Sequence, residues 1–397
     1  VAAIAAPAPQ GNTCRGERAR GKPGDMFETL LSTPSGAGAE SQALLPVWLR
    51  AAVAGLVALS FVRICAPAFL RWATRNCREP VRSASPRLNE LMAGKQGTPT
   101  LGGLLVLGGW LAGLSLVVDW SDRAVLTCVA TVLSMAALGF ADDWIKLRTV
   151  RRGLSARTKL FAQFALLAPP ACFLAGGLPH TNVAWSMFVV LIVLVGAVNA
   201  VNLTDGLDGL AAGSLLPVLV ALCGAGLVGV TLSSSGSPSA FTTSAELAIV
   251  SAALVGALVG FLPLNTSPAR VFLGNTGSLA LGGALGSLGA QLLPAWLLAI
   301  AAGLFVIETA SVVLQVAGYK ASGRRLFRCA PLHHHFQFLG WSERRIVRTF
   351  WGVSLTCVLI ACGLAGIPNR IVKEARDVDV KPMAVAAKLP DQLAGND

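Results

Sequence analysis

Charged residues are scarce in this sequence. They make up 13% of its 397 residues, whereas hydrophobic residues make up 54%. Because charged residues form about 25% of a typical soluble globular chain, this composition excludes an ordinary soluble protein with a large core. The net charge of +12 then belongs to the loops, and it indicates anionic lipid and phosphate groups as partners rather than nucleic acid.

Paired cysteines are also absent. The nine cysteines are scattered, none forms a C-x-x-C motif, and most lie in apolar stretches. Such cysteines are typical of small core residues and not of disulfides or metal ligands. No internal repeat is visible either, which argues against a secondary transporter built from inverted repeats.

Long apolar runs recur along the whole chain. We identify about ten candidate membrane spans, near 51–70, 100–118, 124–141, 160–178, 183–200, 209–230, 245–264, 277–293, 295–317 and 346–366. Glycine, alanine and serine recur in several of them, as at 101–113 and 277–289, and small residues permit close helix packing. The ninth span contains Glu308, and we expect this span to be broken or bent. The sequence therefore predicts an all-α, polytopic integral membrane protein with about ten transmembrane helices.

The spans define a membrane domain at 46–368. An irregular extension rich in Ala, Gly and Pro precedes it at 1–45, and a polar tail follows it at 369–397. A remnant of an organelle transit peptide is one interpretation of the extension, although its acidic residues fit such a peptide poorly.

Basic residues are distributed unevenly between the loops. They cluster in the loops after the first, third and ninth spans, at 71–95, 146–159 and 320–348. The loops after the second, fourth and sixth spans are nearly free of them, at 119–123, 179–182 and 231–244. Because cytoplasmic loops carry the excess of Lys and Arg, this alternation places the basic loops in the cytoplasm and both termini outside. The basic terminal segments favour the opposite orientation, but the repeated alternation outweighs them.

Two adjacent carboxylates, Asp142 and Asp143, end the third span. If the helix continues, Lys146 follows them by four and three residues and can face both. Carboxylates near a membrane are costly and usually mark function. Because Mg²⁺ prefers a few carboxylates together with substrate oxygens, these residues suit a site for Mg²⁺ and a polyphosphate. A solvated helix end explains them equally well.

A second polar group lies between two apolar spans. Its four polar side chains are three residues apart, which places them on one side of a helix. They are Asn199, Asn202, Asp205 and Asp208, accompanied by Gly206 and Gly209. A polar stripe of this length is costly if it only joins helices, so it indicates function.

Two further groups occur in the loops after the seventh and ninth spans. The first contains Asn265, Arg270 and the GNTGS sequence at 274–278, and the second is PLHHHF at 331–336. Three consecutive histidines cannot all point at one ion from a regular helix or strand, which disfavours a zinc site. Phosphate binding or proton relay by one or two of them is one interpretation, and an exposed tract without a role is the other. By the orientation above, all four groups lie on the cytoplasmic side.

These motifs resemble those of a known family. The KQGTPTLGG sequence at 95–103, the carboxylate pair, and the segments 199–210, 272–283 and 331–336 are similar to the signatures of the phospho-N-acetylmuramoyl-pentapeptide transferases. That family belongs to the polyprenyl-phosphate N-acetylhexosamine-1-phosphate transferases. The motifs follow the family's order, and the resemblance covers residues 45–368. The KQGTPT sequence and the three histidines favour this family over relatives that transfer N-acetylglucosamine phosphate.

The resemblance implies a reaction of peptidoglycan synthesis. Members transfer phospho-N-acetylmuramoyl-pentapeptide from UDP-MurNAc-pentapeptide to undecaprenyl phosphate, which releases UMP and forms lipid I. The family requires Mg²⁺, has a site that opens to the cytoplasm, and serves the cell wall, cell shape and cell division. The implied partners are the two substrates, the lipid bilayer and a second copy of the chain in a homodimer, with no nucleic acid. The implied location is a bacterial inner membrane, with a plastid membrane as the alternative.

The family's site residues are carried over by motif. The candidate catalytic residues are Asp142, Asp143, Asn275, His333 and His334. The candidate substrate-binding residues are Lys95, Thr100, Lys146, Lys159, Asn202, Asp205, Gly206, Asp208, Asn265 and His335. The candidate metal ligands are Asn275, Asp142 and Asp143. Whether Asp142 attacks the β-phosphate or only deprotonates the lipid phosphate stays open, although a lipid monophosphate is largely ionised at neutral pH, which favours direct attack by the lipid.

Asn275 departs from the family pattern. Members carry an aspartate at this position of an F-M-G-D-T-G-S motif, and that aspartate is a principal Mg²⁺ ligand. An amide oxygen can bind the ion but supplies no negative charge. Three explanations are open: an inactivating substitution, a divergent homologue with low or altered activity, or a site compensated by Asp142, Asp143, Asp205 or Asp208. The alternative functions are a homologue that only binds the lipid carrier or the nucleotide donor, and a sibling transferase of UDP-N-acetylhexosamines.

Overall fold

The described part of the chain is helical. The computed structural model describes residues 46–78, 86–149, 153–176, 182–233 and 238–365. Its helices are, in chain order, α1 (Val47–Asn76), α2 (Pro86–Leu91), α3 (Gly102–Ser115), α4 (Arg123–Arg148), α5 (Ala156–Gly176), α6 (Val183–Thr204), α7 (Leu210–Ser233), α8 (Pro238–Asn265), α9 (Gly274–Leu292), α10 (Ala295–Ala301), α11 (Gly303–Ser322), α12 (Leu332–Phe338) and α13 (Glu343–Ala365). Within these residues the only β-pairing is an isolated bridge between Arg78 and Pro99. The predicted all-α class is confirmed.

Eight of these helices are long and apolar enough to cross a membrane. They correspond to eight of the ten predicted spans, and the chain is a polytopic membrane protein. The other two predicted spans correspond to α3, which has 14 residues, and to α9, which is rich in Gly and Ser. The count of ten crossings stays a prediction. The predicted extension at 1–45 and the predicted tail at 369–397 lie outside the described residues.

The ninth predicted span is divided, as expected. α10 ends at Ala301, and α11 begins at Gly303, with Ala302 between them outside the helical conformation. Glu308, which motivated the expectation, instead lies inside α11 and is fully buried. The break at Ala302 therefore arises six residues before the buried carboxylate rather than at it.

α9 lies at the centre of the bundle. Its residues from 276 to 289 are all buried, and it packs along α4 and α6. A Cβ on Gly282 would lie 2.5 Å from the Cα of Val198, and the approach of Gly277 to Gly103 of α3 likewise leaves no room for a side chain. Because protein rather than lipid surrounds α9, small residues there allow close packing of its neighbours. The close packing predicted for these small residues is confirmed.

A second glycine contact joins α1 and α8. A Cβ on Gly256 of α8 would overlap the carbonyl oxygen of Gly55 on α1. We therefore expect Gly256→Ala to lower the thermal unfolding temperature of the detergent-solubilised protein, since overpacking costs about 1–3 kcal/mol. Gly224→Ala is the control, because a Cβ there meets no atom within 4 Å and alanine favours the helix. Equal unfolding temperatures for the two variants would contradict the role of this contact.

Loop backbone joins the ends of α3, α8 and α9 at one end of the bundle. The N–H of Gly102 donates to the carbonyl oxygen of Phe272 at 2.9 Å, and the N–H of Phe272 donates to that of Pro99 at 2.8 Å. The N–H of Gly209, just before α7, donates to Oδ1 of Asn265 at 3.1 Å. These bonds hold segments that are far apart in the sequence against each other, and they frame the polar site.

The opposite end of the bundle also holds buried charge. Nη2 of Arg50 donates to Oε1 of Glu246 at 2.6 Å, and the N–H of Asp119 donates to Oε2 of Glu246 at 2.9 Å. The charges of Arg50 and Glu246 are thus paired with each other. We assign this cluster a structural role.

Candidate functional site

A polar cavity of about 190 Å³ lies where the helix ends meet. Its lining includes many of the candidate site residues: Lys95, Thr100, Asp143, Lys146, Asp205, Gly206, Asp208, Asn265 and Asn275. The lining is completed by Gly274 and by four apolar residues: Met92, Leu207, Phe272 and Leu273. The structure thus brings four sequence motifs, those around 95, 142, 205 and 275, to one place.

Asp142 is a buried carboxylate with partners on both of its oxygens. It is 1% exposed, and its Oδ1 accepts the N–H of Leu154 at 2.7 Å. Nζ of Lys146 and Nζ of Lys159 each lie 3.1 Å from its Oδ2. Nδ2 of Asn275 also donates to this oxygen. Two lysines therefore balance the charge of Asp142, and its oxygens already accept several hydrogens.

Asp143 orders the start of α9. Its Oδ1 accepts the N–H of Asn275 at 3.1 Å, and its Oδ2 accepts the N–H of Thr276 at 2.8 Å and the hydroxyl of Thr276 at 2.9 Å. A carboxylate is favoured at a helix N-terminus because it satisfies free N–H groups there. Lys146, whose Nζ is 3.5 Å from Asp143, also reaches Asp142, as its spacing predicted.

Gly274 is required by the same turn. Its φ of +73° lies in the left-handed region, and a Cβ there would lie 2.8 Å from both Oδ2 of Asp143 and Oγ1 of Thr100. A side chain at this position would therefore displace the carboxylate or the hydroxyl. Oγ1 of Thr100 is buried and has no hydrogen-bond partner among the described residues. It is an oxygen at the cavity wall that remains available.

The amide of Asn275 uses both of its ends. Its Nδ2 donates to Asp142, and its Oδ1 accepts from Nδ2 of Asn202 at 2.7 Å. Asn202 also donates to the hydroxyl oxygen of Ser278 at 2.8 Å. A carboxylate in place of Asn275 could still accept from Asn202 but could not donate to Asp142. An aspartate at 275 would repel Asp142, whereas the amide of Asn275 forms a hydrogen bond with it.

The predicted polar stripe from 199 to 208 does not follow one helix. α6 ends at Thr204, so Asp205 and Asp208 lie in the turn after it. Asn199 points elsewhere, since its Nδ2 donates to Oε1 of Gln163 at 2.7 Å. The expectation of a single helical face is wrong because the chain turns at the point where these side chains reach the cavity.

Lys95 forms a charged group with Asp208 and Glu343. Its Nζ lies 2.6 Å from Oδ1 of Asp208 and 2.5 Å from Oε1 of Glu343. That same oxygen of Glu343 accepts the N–H of Asp208 at 2.7 Å. Asn265 supports the neighbouring turns, with its Oδ1 accepting from Gly209 and its Nδ2 donating to the carbonyl oxygen of Val271 at 3.1 Å each. Sequence motifs alone did not reveal that Lys95 has two carboxylate partners.

The three histidines have three different environments. His333 is fully buried, with Nδ1 2.7 Å from Oε2 of Glu308. Nδ1 of His334 lies 2.7 Å from Oε1 of Gln337, and Nδ1 of His335 accepts the N–H of Arg328 at 3.1 Å. His335 therefore contacts the basic loop. The Nδ1 atoms of the three rings therefore have three separate partners.

His333 and His334 are expected to make stability depend on pH. Burial lowers the pKa of His333 to about 3, and burial together with the nearby His333 lowers that of His334 to about 4. Between these values and about 6.5 the unfolded chain binds protons that the folded chain does not. This contribution to stability is complete above pH 6.5 and is lost as the pH falls toward 3. We expect the unfolding temperature to fall between pH 7 and pH 4.5, and to fall less in His334→Gln; parallel curves would contradict this assignment.

The donor set at the cavity consists of oxygens. Within the described residues no three His, Cys, Asp or Glu side chains are grouped as metal ligands. The carboxylates of Asp142 and Asp143, the amide oxygen of Asn275 and the unpartnered hydroxyl of Thr100 lie together. Mg²⁺ takes one or two protein carboxylates and completes its shell with substrate phosphates and water. The residues fit this ion, with one charge fewer than an aspartate at 275 would give.

Two carboxylates of this region, Glu308 and Glu343, were not predicted from the sequence as site residues. Glu308 is a lone acidic residue in an apolar span, a feature that often marks function, and it was interpreted only as a source of a bend. Glu343 lies at the start of α13 in the most basic loop, where a single acidic residue gives no periodic signal. Their contacts with His333 and Lys95 become visible only in the folded chain.

Comparison with known proteins agrees with this geometry. Residues 125–292 match the family described as glycosyl transferase family 4. A phospho-N-acetylmuramoyl-pentapeptide-transferase of Gluconacetobacter diazotrophicus is 39% identical over 351 residues, which cover 82% of this chain and 94% of the relative. The similarity extends well beyond the matched segment, to most of the described helices.

Proposed function

Because the chain belongs to the phospho-N-acetylmuramoyl-pentapeptide transferase family, we propose that it transfers phospho-N-acetylmuramoyl-pentapeptide from UDP-MurNAc-pentapeptide to undecaprenyl phosphate. The products are lipid I and UMP. The observation that carries this proposal is the meeting of Asp142, two lysines and the Asn202–Asn275 amide pair beside one polar cavity. Acidic, basic and amide groups from distant segments suit a reaction between two phosphates.

Lysines would reduce the electrostatic repulsion between the two reacting phosphates. In the transfer, an oxygen of the lipid phosphate forms a bond to the sugar-linked phosphorus, and the bond from that phosphorus to UMP breaks. Negative charge grows on the departing phosphate. Lys146 and Lys159, which approach from different helices, can stabilise this charge in a site partly shielded from water. Their pairing with Asp142 holds both ammonium groups in place beforehand.

Asp142 and Asn275 are the residues that would hold Mg²⁺. The ion supplies charge stabilisation at phosphate oxygens, worth several kcal/mol in comparable sites. Oδ1 of Asn275 is held by Asn202, which fixes the direction of this oxygen. Asp143 would mainly stabilise the start of α9, because both of its oxygens accept hydrogen bonds from N–H groups there. Thr100 offers a further oxygen at the cavity wall.

Direct attack by the lipid phosphate is favoured over attack by Asp142. Each oxygen of Asp142 already accepts at least one hydrogen bond, and Oδ2 lies close to two ammonium groups. A carboxylate stabilised in this way is a weak nucleophile, because attack would require several of these interactions to be lost. Asp142 would instead orient the lysines and accept a remaining proton from the lipid phosphate.

An apolar cavity offers a place for the isoprenoid chain. It has a volume of about 400 Å³ and lies between α6, α9, α10 and α11. Its lining is almost entirely aliphatic and small, and includes Val193, Ala197, Ala200, Ala302 and Val306. Ala200 precedes Asn202 by less than one helical turn, so this cavity and the polar one share α6. A lipid held here would have its phosphate end near Asn275.

The membrane side and the assembly are further parts of the proposal. We place the polar cavity on the cytoplasmic side of a bacterial inner membrane, on the distribution of Lys and Arg between the loops. A cysteine introduced at Arg344 should then react with impermeant thiol reagents only after the inner face is exposed.

A homodimer is tested by light scattering of the protein in detergent, in which the mass of the detergent is subtracted.

The reaction is tested by UMP release from the purified chain. UDP-MurNAc-pentapeptide with undecaprenyl phosphate and Mg²⁺ should yield UMP and a lipid-linked diphosphate, whereas omission of the lipid should yield neither. A faster reaction with UDP-N-acetylglucosamine would instead show a sibling transferase. Asn199→Ala is a matched control for Asn202→Ala, because both are amides on α6 but only Asn202 contacts Asn275.

A catalytically silent binder is the second candidate, and Asn275 favours it. Titration of UDP-MurNAc-pentapeptide with and without Mg²⁺ separates the two functions. Binding without UMP release, unchanged by Mg²⁺, would indicate the binder. Release that requires Mg²⁺ would indicate the enzyme.

A further inference from the structure

Glu308 is a buried carboxylate that the proposed reaction does not use. It lies inside α11 and is fully buried. Its two oxygens contact two different groups of His333, the backbone N–H and the imidazole ring. Its Oε1 accepts the backbone N–H of His333 at 3.2 Å, and its Oε2 lies 2.7 Å from Nδ1 of the same histidine. A carboxylate at this depth is costly unless it is paired and hydrogen-bonded. Both of its oxygens are turned toward His333.

This arrangement selects one tautomer of His333. While Glu308 is ionised it can only accept hydrogen bonds, and a neutral His333 then carries its proton on Nδ1. Burial lowers the pKa of His333 to about 3, which keeps the ring neutral at physiological pH. In that state Nε2 has a lone pair and no proton. It is buried and has no hydrogen-bond partner among the described residues.

The free nitrogen faces the wall of the polar cavity. A Cβ on Gly206 would overlap Nε2 of His333, so the ring lies directly against this glycine. Gly206 lines the cavity together with Asp205 and Leu207 on either side. A buried acceptor without a donor loses free energy of about 1–3 kcal/mol unless a ligand supplies one. Gly206 is the cavity-lining residue that contacts Nε2, so the cavity side of Gly206 is the side from which we expect a donor.

We propose that Glu308 is a positioning residue that holds His333 with Nε2 as an acceptor for an uncharged hydroxyl or N–H group of the nucleotide-sugar donor. This inference rests on the proposed function for the identity of the ligand. It differs from phosphate binding, because an unprotonated Nε2 has no hydrogen to donate to a phosphate oxygen. His333 would thus bind an uncharged part of the nucleotide sugar, whereas the lysines bind its phosphates.

Glu308→Gln should reverse the tautomer. The side-chain NH₂ of glutamine can donate to Nδ1, which moves the ring proton to Nε2 and turns the acceptor into a donor. In protein with ¹⁵N-labelled histidine, we expect the wild-type His333 to show a protonated Nδ1 and an unprotonated Nε2, and Glu308→Gln to show the reverse. The resonance is assigned by its loss in His333→Gln. A wild-type ring protonated at Nε2 would overturn the proposal.

Binding measurements identify the group that His333 meets. Uridine, UMP, UDP-MurNAc-pentapeptide and pyrophosphate are titrated against wild type and Glu308→Gln. If the donor group belongs to the nucleoside, affinity for the first three should fall about tenfold, as for one lost hydrogen bond. If it belongs to the amino sugar or peptide, only UDP-MurNAc-pentapeptide should weaken. A loss for pyrophosphate, or no loss for any ligand, would overturn the proposal.

Two further variants separate positioning from folding and from charge. Gly206→Ala should weaken the same ligands with the tautomer of His333 unchanged, because the new Cβ would block Nε2, and this test remains if Glu308→Gln does not fold. Gln337→Leu is the matched control, since it removes the corresponding partner of His334 and should leave the His333 resonances and the affinities as they are. These readouts do not require turnover. They hold even if the chain releases no UMP.

Discussion

Asp142→Asn is expected to reduce UMP release by about 10²- to 10⁴-fold, the range typical for loss of a positioned acid–base group. The amide can still accept the N–H of Leu154, so the fold around it should persist. It cannot balance the charges of Lys146 and Lys159, and it has no negative charge for Mg²⁺ or for a proton of the lipid phosphate. The loss should therefore appear mainly in kcat, with a smaller effect on KM.

Asp122→Asn is the matched control for this prediction. Asp122 is the N-cap of the same helix, α4, where its side chain accepts the N–H groups of Ala124 and Val125. Asparagine caps helices about as well as aspartate. The control has the same chemical change at the other end of α4, and its activity should match the wild type. An Asp142→Asn variant with wild-type kcat would remove Asp142 from the reaction.

Asn275→Asp is expected to change activity in the opposite direction. With Mg²⁺ present, the added carboxylate should raise UMP release by about 10- to 10³-fold, since a metal contributes several kcal/mol of charge stabilisation. Without Mg²⁺ the gain should vanish, because the carboxylate would face Asp142 at hydrogen-bonding distance and could not donate to it. The unfolding temperature should then also fall without Mg²⁺ and recover when it is added.

Asn182→Asp controls for the added charge. Asn182 is the N-cap of α6, at the other end of that helix from Asn202, and aspartate can accept the same N–H groups of Ala184 and Trp185. Its activity and its response to Mg²⁺ should match the wild type. Equal rates for wild type and Asn275→Asp would show that the missing carboxylate does not limit this protein. A site compensated by the neighbouring carboxylates would then be the better explanation.

Local patterns in the sequence were sufficient for several parts of the site. The four-residue and three-residue spacing from Asp142 and Asp143 to Lys146 predicted a shared contact, and Lys146 makes it, because helical geometry alone decides this pair. The same reasoning failed for the stripe at 199–208. Spacing of three predicts one face only while the helix continues, and α6 ends at Thr204.

Long-range partners could not be predicted in this way. Nothing in the sequence relates Glu308 to His333, or Glu343 to Lys95, because each pair is joined only when helices pack. The break of the ninth span was expected from Glu308 but occurs at Ala302. A buried carboxylate in a helix is tolerated once it has a partner, and that partner lies 25 residues away in the chain.

The sequence by itself determined the membrane bundle and the chemistry of its polar motifs. Apolar length decides which segments can leave water, and the types of the polar side chains decide what they can bind. Only the tertiary structure decided which polar atoms are already satisfied and which are free. Asp143 is occupied by the start of α9, Asn275 is held between Asp142 and Asn202, and Nε2 of His333 is left without a donor. These outcomes depend on distances between segments far apart in the chain, which are set by packing and not by local sequence.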